Sequence, residues 1–237
     1  MNNRKYTLNR NGSRHIQLSP TSLNLFYDCP LCFWLEKREK IRRPPPYPYA
    51  LNSAVDILLK QEFDSYRAKG KLHPLLVENN IQAKLFRDQN ELNQWRSNFE
   101  GIRFFDPELE ATLFGVVDDV LEFPDGKLAV LDYKSTGSSV ARVYDRFQVQ
   151  MDVYSYLLEK NGFLTTGKGY LAFYIVDKKN GFGDRLPFRK ELHEIETDTS
   201  YVQGLFEEAV TLLRKSTPPV HHQDCKFGIW FGQVAKF

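Results

Sequence analysis

Residues 111–136 read ATLFGVVDDVLEFPDGKLAVLDYKST, and this stretch decides the fold. Residues 111–123 are apolar, with β-branched and aromatic side chains, the composition of a strand. In Pro124-Asp125-Gly126, Pro presets one turn dihedral and Gly accepts a positive φ. Residues 127–133, Lys-Leu-Ala-Val-Leu-Asp-Tyr, form the return strand of a hairpin, with Asp132 at its far end. Side chains alternate along a strand, so Asp132 and Lys134 share a face. Tyr133 points the other way and leaves its backbone carbonyl near the first face. The hairpin brings Asp118, from Gly115-Val116-Val117-Asp118-Asp119, beside Asp132. Asp119 falls on the opposite face, as a salt-bridging or capping residue.

Charges among apolar neighbours need partners. Two mutually repelling carboxylates are best reconciled by a divalent cation, and oxygen ligands of this kind suit Mg²⁺ or Mn²⁺. Such a cation lowers the pKa of water and neutralises charge on a phosphate. The compact ammonium of Lys134 positions that water or stabilises developing charge. A lone Asp-x-Lys is common. The weight here comes from its setting: Gly-x-x-Asp, a tight turn, an apolar strand carrying Asp-x-Lys, and then a helix.

Upstream, Ser19 caps a helix that opens with Pro20, and the Cys29-Pro30 step breaks it. A basic run from Lys37 to Arg43 leads into Pro44-Pro45-Pro46, an extended connector. That run, with Trp34 and Tyr47, is either a solvated helix end or a surface that contacts phosphates and stacks on unpaired bases. Residues 1–17 form a polar basic tail or an edge strand. Residues 49–69 form a second helix, with Leu51, Val55, Leu58, Leu59, Phe63 and Tyr66 as its apolar face, ended by Gly70. A short helix is expected over Glu91 to Phe99. Downstream come a helix at 145–160, strands at 169–177 and 187–196, an amphipathic helix at 199–215, and loop and turn over the last 20 residues. The order is that of a mixed α/β layer arrangement. No Gly-rich phosphate loop follows any strand, which argues against a nucleotide-binding fold.

Bulk composition agrees. The 237 residues are 42% hydrophobic and 26% charged, with 18 Phe, 12 Tyr and 3 Trp, enough for a sizeable core. This length points to a single domain with appendages. A net charge of +2 does not suggest a purely electrostatic DNA binder, but it permits a local basic groove. Three Cys do not make a disulfide scaffold. No signal-peptide pattern opens the chain, and apolar runs such as Tyr170 to Val176 are too short to span a bilayer. A cytoplasmic protein with no membrane partner is expected.

Four motifs carry a family resemblance. They are Leu18-Ser19-Pro20-Thr21-Ser22 with Phe26 and Cys29-Pro30; Gly115-Val116-Val117-Asp118; Leu131-Asp132-Tyr133-Lys134-Ser135; and Gln150-Met151-Asp152-Val153-Tyr154. In this order they resemble the RecB-like branch of the PD-(D/E)XK nuclease superfamily, including CRISPR-associated exonucleases and AddB-type nuclease domains. The resemblance spans roughly residues 18–35, 50–60, 111–175 and 220–230. It implies a restriction-endonuclease-like mixed central sheet flanked by helices, over 18–237 with its core at 111–177. It implies catalysis by Asp118, Asp132 and Lys134, with metal held by Asp118, Asp132 and the Tyr133 carbonyl. Gln150 and Tyr154, at i and i+4 on one helix face, are implied to face the site or the DNA. Where relatives carry a His ligand on the second helix, this chain has Asp56, either a substitute oxygen ligand or an ordinary polar helix residue.

Many relatives hold an iron–sulfur cluster on four Cys. Here only Cys29, Cys32 and Cys225 are available, so a four-Cys cluster is not expected. A Cys₃His zinc site closed by His222 is chemically sound; the alternative is that the thiols are small buried core residues. The expected activity is metal-dependent hydrolysis of DNA phosphodiesters, exonuclease-like, on single-stranded or end-containing DNA. Partners to expect are that DNA and a helicase or other nucleic-acid-processing protein. Two other functions compete: a non-catalytic DNA-binding module on a nuclease scaffold, and an interaction protein stabilised by zinc or a cluster.

Overall fold

The structure is a computed structural model that describes residues 15–44, 50–179 and 181–236. In chain order, the first half holds β1 (Ile16–Leu18), α1 (Pro20–Asp28), α2 (Pro30–Trp34), α3 (Ala50–Ala68), α4 (Pro74–Glu78), β2 (Lys84–Leu85), α5 (Gln89–Trp95) and β3 (Ile102–Asp106). The second half holds β4 (Ala111–Gly115), β5 (Asp119–Glu122), β6 (Leu128–Thr136), α6 (Asp145–Lys160), β7 (Thr165–Val176), β8 (Phe188–Glu196), α7 (Val202–Arg214) and α8 (Lys226–Val234). The fold is mixed α/β, two sheets with flanking helices, of the restriction-endonuclease-like class. Contacts divide it into two compact units. One draws on the described parts of 1–47, 103–114 and 200–237, the other on 48–102 and 115–199.

In the first unit, β1 runs parallel to β4, with Ile16 opposite Ala111. Ser19 accepts the Ser22 amide at 3.4 Å and caps α1. Cys29 is extended between α1 and α2, where Pro30 starts a new helix. Trp34 is buried, and its indole donates to the Lys215 carbonyl at 3.2 Å. It is therefore unavailable for stacking on bases, against one reading of the basic run. Arg38 and Arg43 of that run are likewise engaged, with the Leu213 carbonyl and with Asp28. Residues 1–14 of the basic tail, Pro45 and Pro46 of the connector, and Tyr47 lie outside the described residues.

The second unit is built on a five-stranded sheet in the order β2-β5-β6-β7-β8. β6 pairs antiparallel with β5 and parallel with β7. Leu131 and Tyr133 of β6 pack with Leu59 and Phe63 of α3 and with Leu75 and Leu76 of α4. The alternate residues of β6, Val130, Asp132 and Lys134, occupy the other face. The buried stripe of α3 is narrower than the sequence suggests. Leu51 and Leu58 are exposed, and Val55, Leu59, Phe63 and Tyr66 form the apolar line that meets the sheet.

Three expectations from the sequence are corrected. The apolar run 111–123 is two strands in two different sheets, with Val116 to Asp118 irregular between them. The return strand continues to Thr136, opposite Ile175 of β7, so Asp132 and Lys134 lie inside a paired strand. The C-terminal stretch holds a helix, α8, on which Phe227, Trp230, Phe231 and Val234 recur at helical spacing. Among the described residues no helix is long and apolar enough to cross a membrane.

Candidate active site and three-cysteine cluster

Asp119 pairs with Leu131 across the β5–β6 ladder. Continuing that register by one residue sets Asp118, just before β5, opposite Asp132. Asp118 Oδ2 accepts the Tyr133 amide at 3.0 Å, where β5 supplies no ladder partner. The carbonyl of a strand residue points the same way as its N–H, so the Tyr133 carbonyl turns toward Asp118 as well.

Asp132 is almost fully buried. Its Oδ2 is in ion-pair contact with Lys134 Nζ but receives no well-formed hydrogen bond. Burial pushes its carboxyl up to about 7; the Lys134 ammonium opposes this and the Asp118 charge adds to it. Gln150 of α6 organises the pair. Its Nε2 donates to Asp132 Oδ1 at 3.1 Å and to Tyr154 Oη at 2.9 Å, and its Oε1 accepts from Lys134 Nζ at 3.1 Å. Lys134 Nζ also sits 4.7 Å from the centre of the Phe147 ring, within cation–π range.

Gly115 explains how Tyr154 fits. A Cβ at Gly115 would lie 2.7 Å from Tyr154 Cδ1 and Cε1, so only glycine lets that ring pack against the chain just before Asp118. Asn52 of α3 donates to both the carbonyl and the hydroxyl of Ser135, at 2.7 and 2.9 Å, and ties α3 to the strand beyond Lys134.

Asp119 lies on the other face, fully buried. It pairs with Arg67, with Arg96 at 3.2 Å, and accepts the Tyr133 hydroxyl at 2.7 Å. This network anchors the strand whose opposite face carries Asp132.

Asp56 reaches the site only through a residue that the sequence reading passed over. Lys60 Nζ lies 2.8 Å from Asp56 Oδ2 and 2.9 Å from Asp118 Oδ1. Burial lowers the Lys60 pKa, but Asp118 and Asp56 outweigh it and the net shift is upward. Asp56, Asp118 and Asp132 do not converge within 4.8 Å of one another. The i,i+4 pair Asp56/Lys60 was visible in the sequence, but its reach to Asp118 was not.

In the first unit, Cys29, Cys32 and Cys225 bring three sulfurs within 4.8 Å of one another, a group that could hold a metal. Cys32 and Cys225 Sγ are 3.6 Å apart. His222 contributes its backbone N–H to Cys29 Sγ at 3.4 Å; its ring accepts the Asp224 amide instead. Arg43 donates to Cys225 Sγ at 3.7 Å. Burial pushes the Cys32 thiol up to about 12 despite Arg43. At Cys29 burial is outweighed by the backbone N–H groups of Cys32 and His222, and the thiol falls to about 7.

A profile of the PD-(D/E)XK nuclease superfamily matches residues 17–227. No curated protein matches significantly. Among solved structures, the chain is similar to one described as "Crystal structure of SSO0001", at 16% identity and a TM-score of 0.45, over 91% of this chain and 84% of the other.

Proposed function

Because the chain belongs to the PD-(D/E)XK nuclease superfamily, we propose that it hydrolyses DNA phosphodiesters with Mg²⁺ or Mn²⁺, exonuclease-like, on single-stranded or end-containing DNA. We place it in the RecB-like branch on the order of its four motifs. The observation that carries the reading is the Asp132–Lys134 pair held by Gln150 opposite Asp118.

The donor set fits a hard cation. Asp132 Oδ2 is buried with only the Lys134 ion pair and no well-formed hydrogen bond, and Asp118 is near enough for its charge to act on it. Asp118, Asp132 and the Tyr133 carbonyl would hold the metal. When bound, it supplies charge neutralisation at the phosphate and activation of water. Lys134, fixed by Gln150 and Phe147, presents its ammonium beside Asp132 and orients the attacking water or the phosphate. Gln150 cannot flip: a reversed amide would set its oxygen against Asp132 and its NH₂ against Lys134. Tyr154 caps that amide from the next turn of α6.

For the three-cysteine group we propose a zinc ion. Three thiolates around Zn²⁺ leave one net negative charge, which the Arg43 guanidinium balances. His222 is not needed as the fourth ligand, since water can complete a tetrahedron.

The test is cleavage of end-labelled single- and double-stranded DNA with Mg²⁺, Mn²⁺ or EDTA, using wild type, Asp132→Ala and Lys134→Ala. Metal-dependent cleavage abolished by both substitutions is expected. DNA binding without cleavage, alike in all three proteins, would make this a non-catalytic DNA-binding module.

A further inference from the structure

Asp118 has a donor on each oxygen. Oδ2 takes the Tyr133 amide at 3.0 Å, and Oδ1 takes Lys60 Nζ at 2.9 Å. Asp132 Oδ2 lacks a well-formed hydrogen bond but is in ion-pair contact with Lys134 Nζ. Each carboxylate therefore already faces an ammonium, and at Asp118 Oδ1 that ammonium is Lys60. The Lys60 side chain is only 23% exposed, so water screens that charge weakly. It cannot share Asp118 with a divalent ion without strong repulsion. A second carboxylate stands ready for it: Asp56, one turn earlier on α3, already lies 2.8 Å from the same nitrogen.

We propose that Lys60 is a tethered counter-cation that holds Asp118 Oδ1 when no metal is bound, and that it withdraws onto Asp56 when metal enters. Asp56 then acts as the resting place of Lys60 and not as a metal ligand. Lys60 is a positioning residue: it keeps the mutually repelling Asp118 and Asp132 together in the metal-free protein. The cost is weaker metal affinity, because entry must displace an existing ion pair. The inference rests on the metal-dependent reading of this site.

The test is Mn²⁺ binding to the full chain without DNA, followed by the paramagnetic resonance signal of free Mn²⁺. The proteins are wild type, Lys60→Met, Lys60→Gln, Lys60→Arg and Asp118→Asn. Both neutral variants should bind Mn²⁺ about five- to tenfold more tightly than wild type, the scale of a half-buried ion pair. Lys60→Arg should stay near wild type, and Asp118→Asn should lose the site. A merely structural Lys60 would give weaker binding when neutralised. Unchanged or weaker binding in both neutral variants, with Asp118→Asn still losing the site, overturns this role and leaves the metal-site reading intact. Mn²⁺ binding indifferent to Asp118→Asn sinks that reading and this inference with it.

Discussion

Gln150 donates to Asp132 Oδ1 at 3.1 Å while the same amide accepts from Lys134, so one neutral side chain fixes both members of a buried ion pair. Gln150→Ala removes both contacts and leaves Lys134 to the Asp132 carboxylate and the Phe147 ring. Support of this kind is worth about 10–100-fold in activity. The expected result is a kcat reduced on that scale, with a melting temperature little changed. An activity loss that merely tracks a loss of fold would show Gln150 to be a packing residue only.

Asp132 is almost fully buried, and its Oδ2 has the Lys134 ion pair but no well-formed hydrogen bond, so burial remains costly in the metal-free protein. Asp132→Asn relieves that cost and discards the charge that a metal needs. We predict an activity loss of about a thousandfold or more, together with a gain of about 1 kcal/mol in unfolding free energy in EDTA. Urea denaturation of both proteins in EDTA checks the sign. A destabilised Asp132→Asn protein contradicts the assignment of Asp132 to function over stability.

The hairpin face that carries Asp132 and Lys134 was legible because its causes are local. A Pro-Asp-Gly turn and period-two alternation need no tertiary information. The break at Val116 to Asp118 was not legible. Both halves of 111–123 have strand composition, and only the partners they meet reveal that β4 and β5 enter different sheets. Lys60 escaped notice for a related reason: its reach to Asp118 depends on where α3 packs, through Leu59 and Phe63. The last helix was different, since the spacing of Phe227, Trp230, Phe231 and Val234 was present in the sequence, and the neighbouring Pro, His and Cys residues drew attention away from it. Near the cysteines, the His222 ring faces the Asp224 amide and Arg43 lies beside Cys225, contacts that only the tertiary packing sets.

Gly115 tests the packing behind the site. An added methyl would overlap Tyr154 Cδ1 and Cε1 at 2.7 Å and touch Leu157 Cδ1 at 3.0 Å. Gly115→Ala should cost about 1–3 kcal/mol and lower activity, as Tyr154 and then Gln150 are pushed aside. Combined with Tyr154→Ala, the methyl finds space, so the double mutant should be less destabilised than the two losses summed. A coupling of about 0.5–3 kcal/mol is expected, and strict additivity would mean that the clash is absorbed elsewhere.

The three-cysteine group gives a metal prediction independent of the acidic site. Protein purified without chelator should carry zinc, measured by atomic absorption. Cys225→Ser should lose it and His222→Ala should keep it, because the His222 ring turns to the Asp224 amide. Retained zinc in Cys225→Ser would show that the sulfurs do not bind it. Loss in His222→Ala alone would restore that ring as the fourth ligand.

His73 sets a pH limit on stability. It is fully buried, stacked on Phe63 with ring centres 3.9 Å apart. Its Nδ1 accepts the Leu75 amide at 3.2 Å and caps α4, so the ring proton is on Nε2, 2.8 Å from Glu62. Burial lowers its pKa below the usual 6.5, outweighing the opposing Glu62 contact. The unfolded chain therefore takes up a proton at this position before the folded one does. The stability from neutral His73 is fully present above pH 6.5 and is lost as pH falls through the lower, folded-state pKa. Protonation of Nδ1 also removes the acceptor that caps α4. Replacing His73 by Asn, which keeps a cap acceptor without a titrating group, should lower stability at neutral pH through lost packing. It should also flatten the decline of unfolding free energy below pH 6.5 measured by urea denaturation. An equally steep decline in His73→Asn would assign the acid sensitivity to another group.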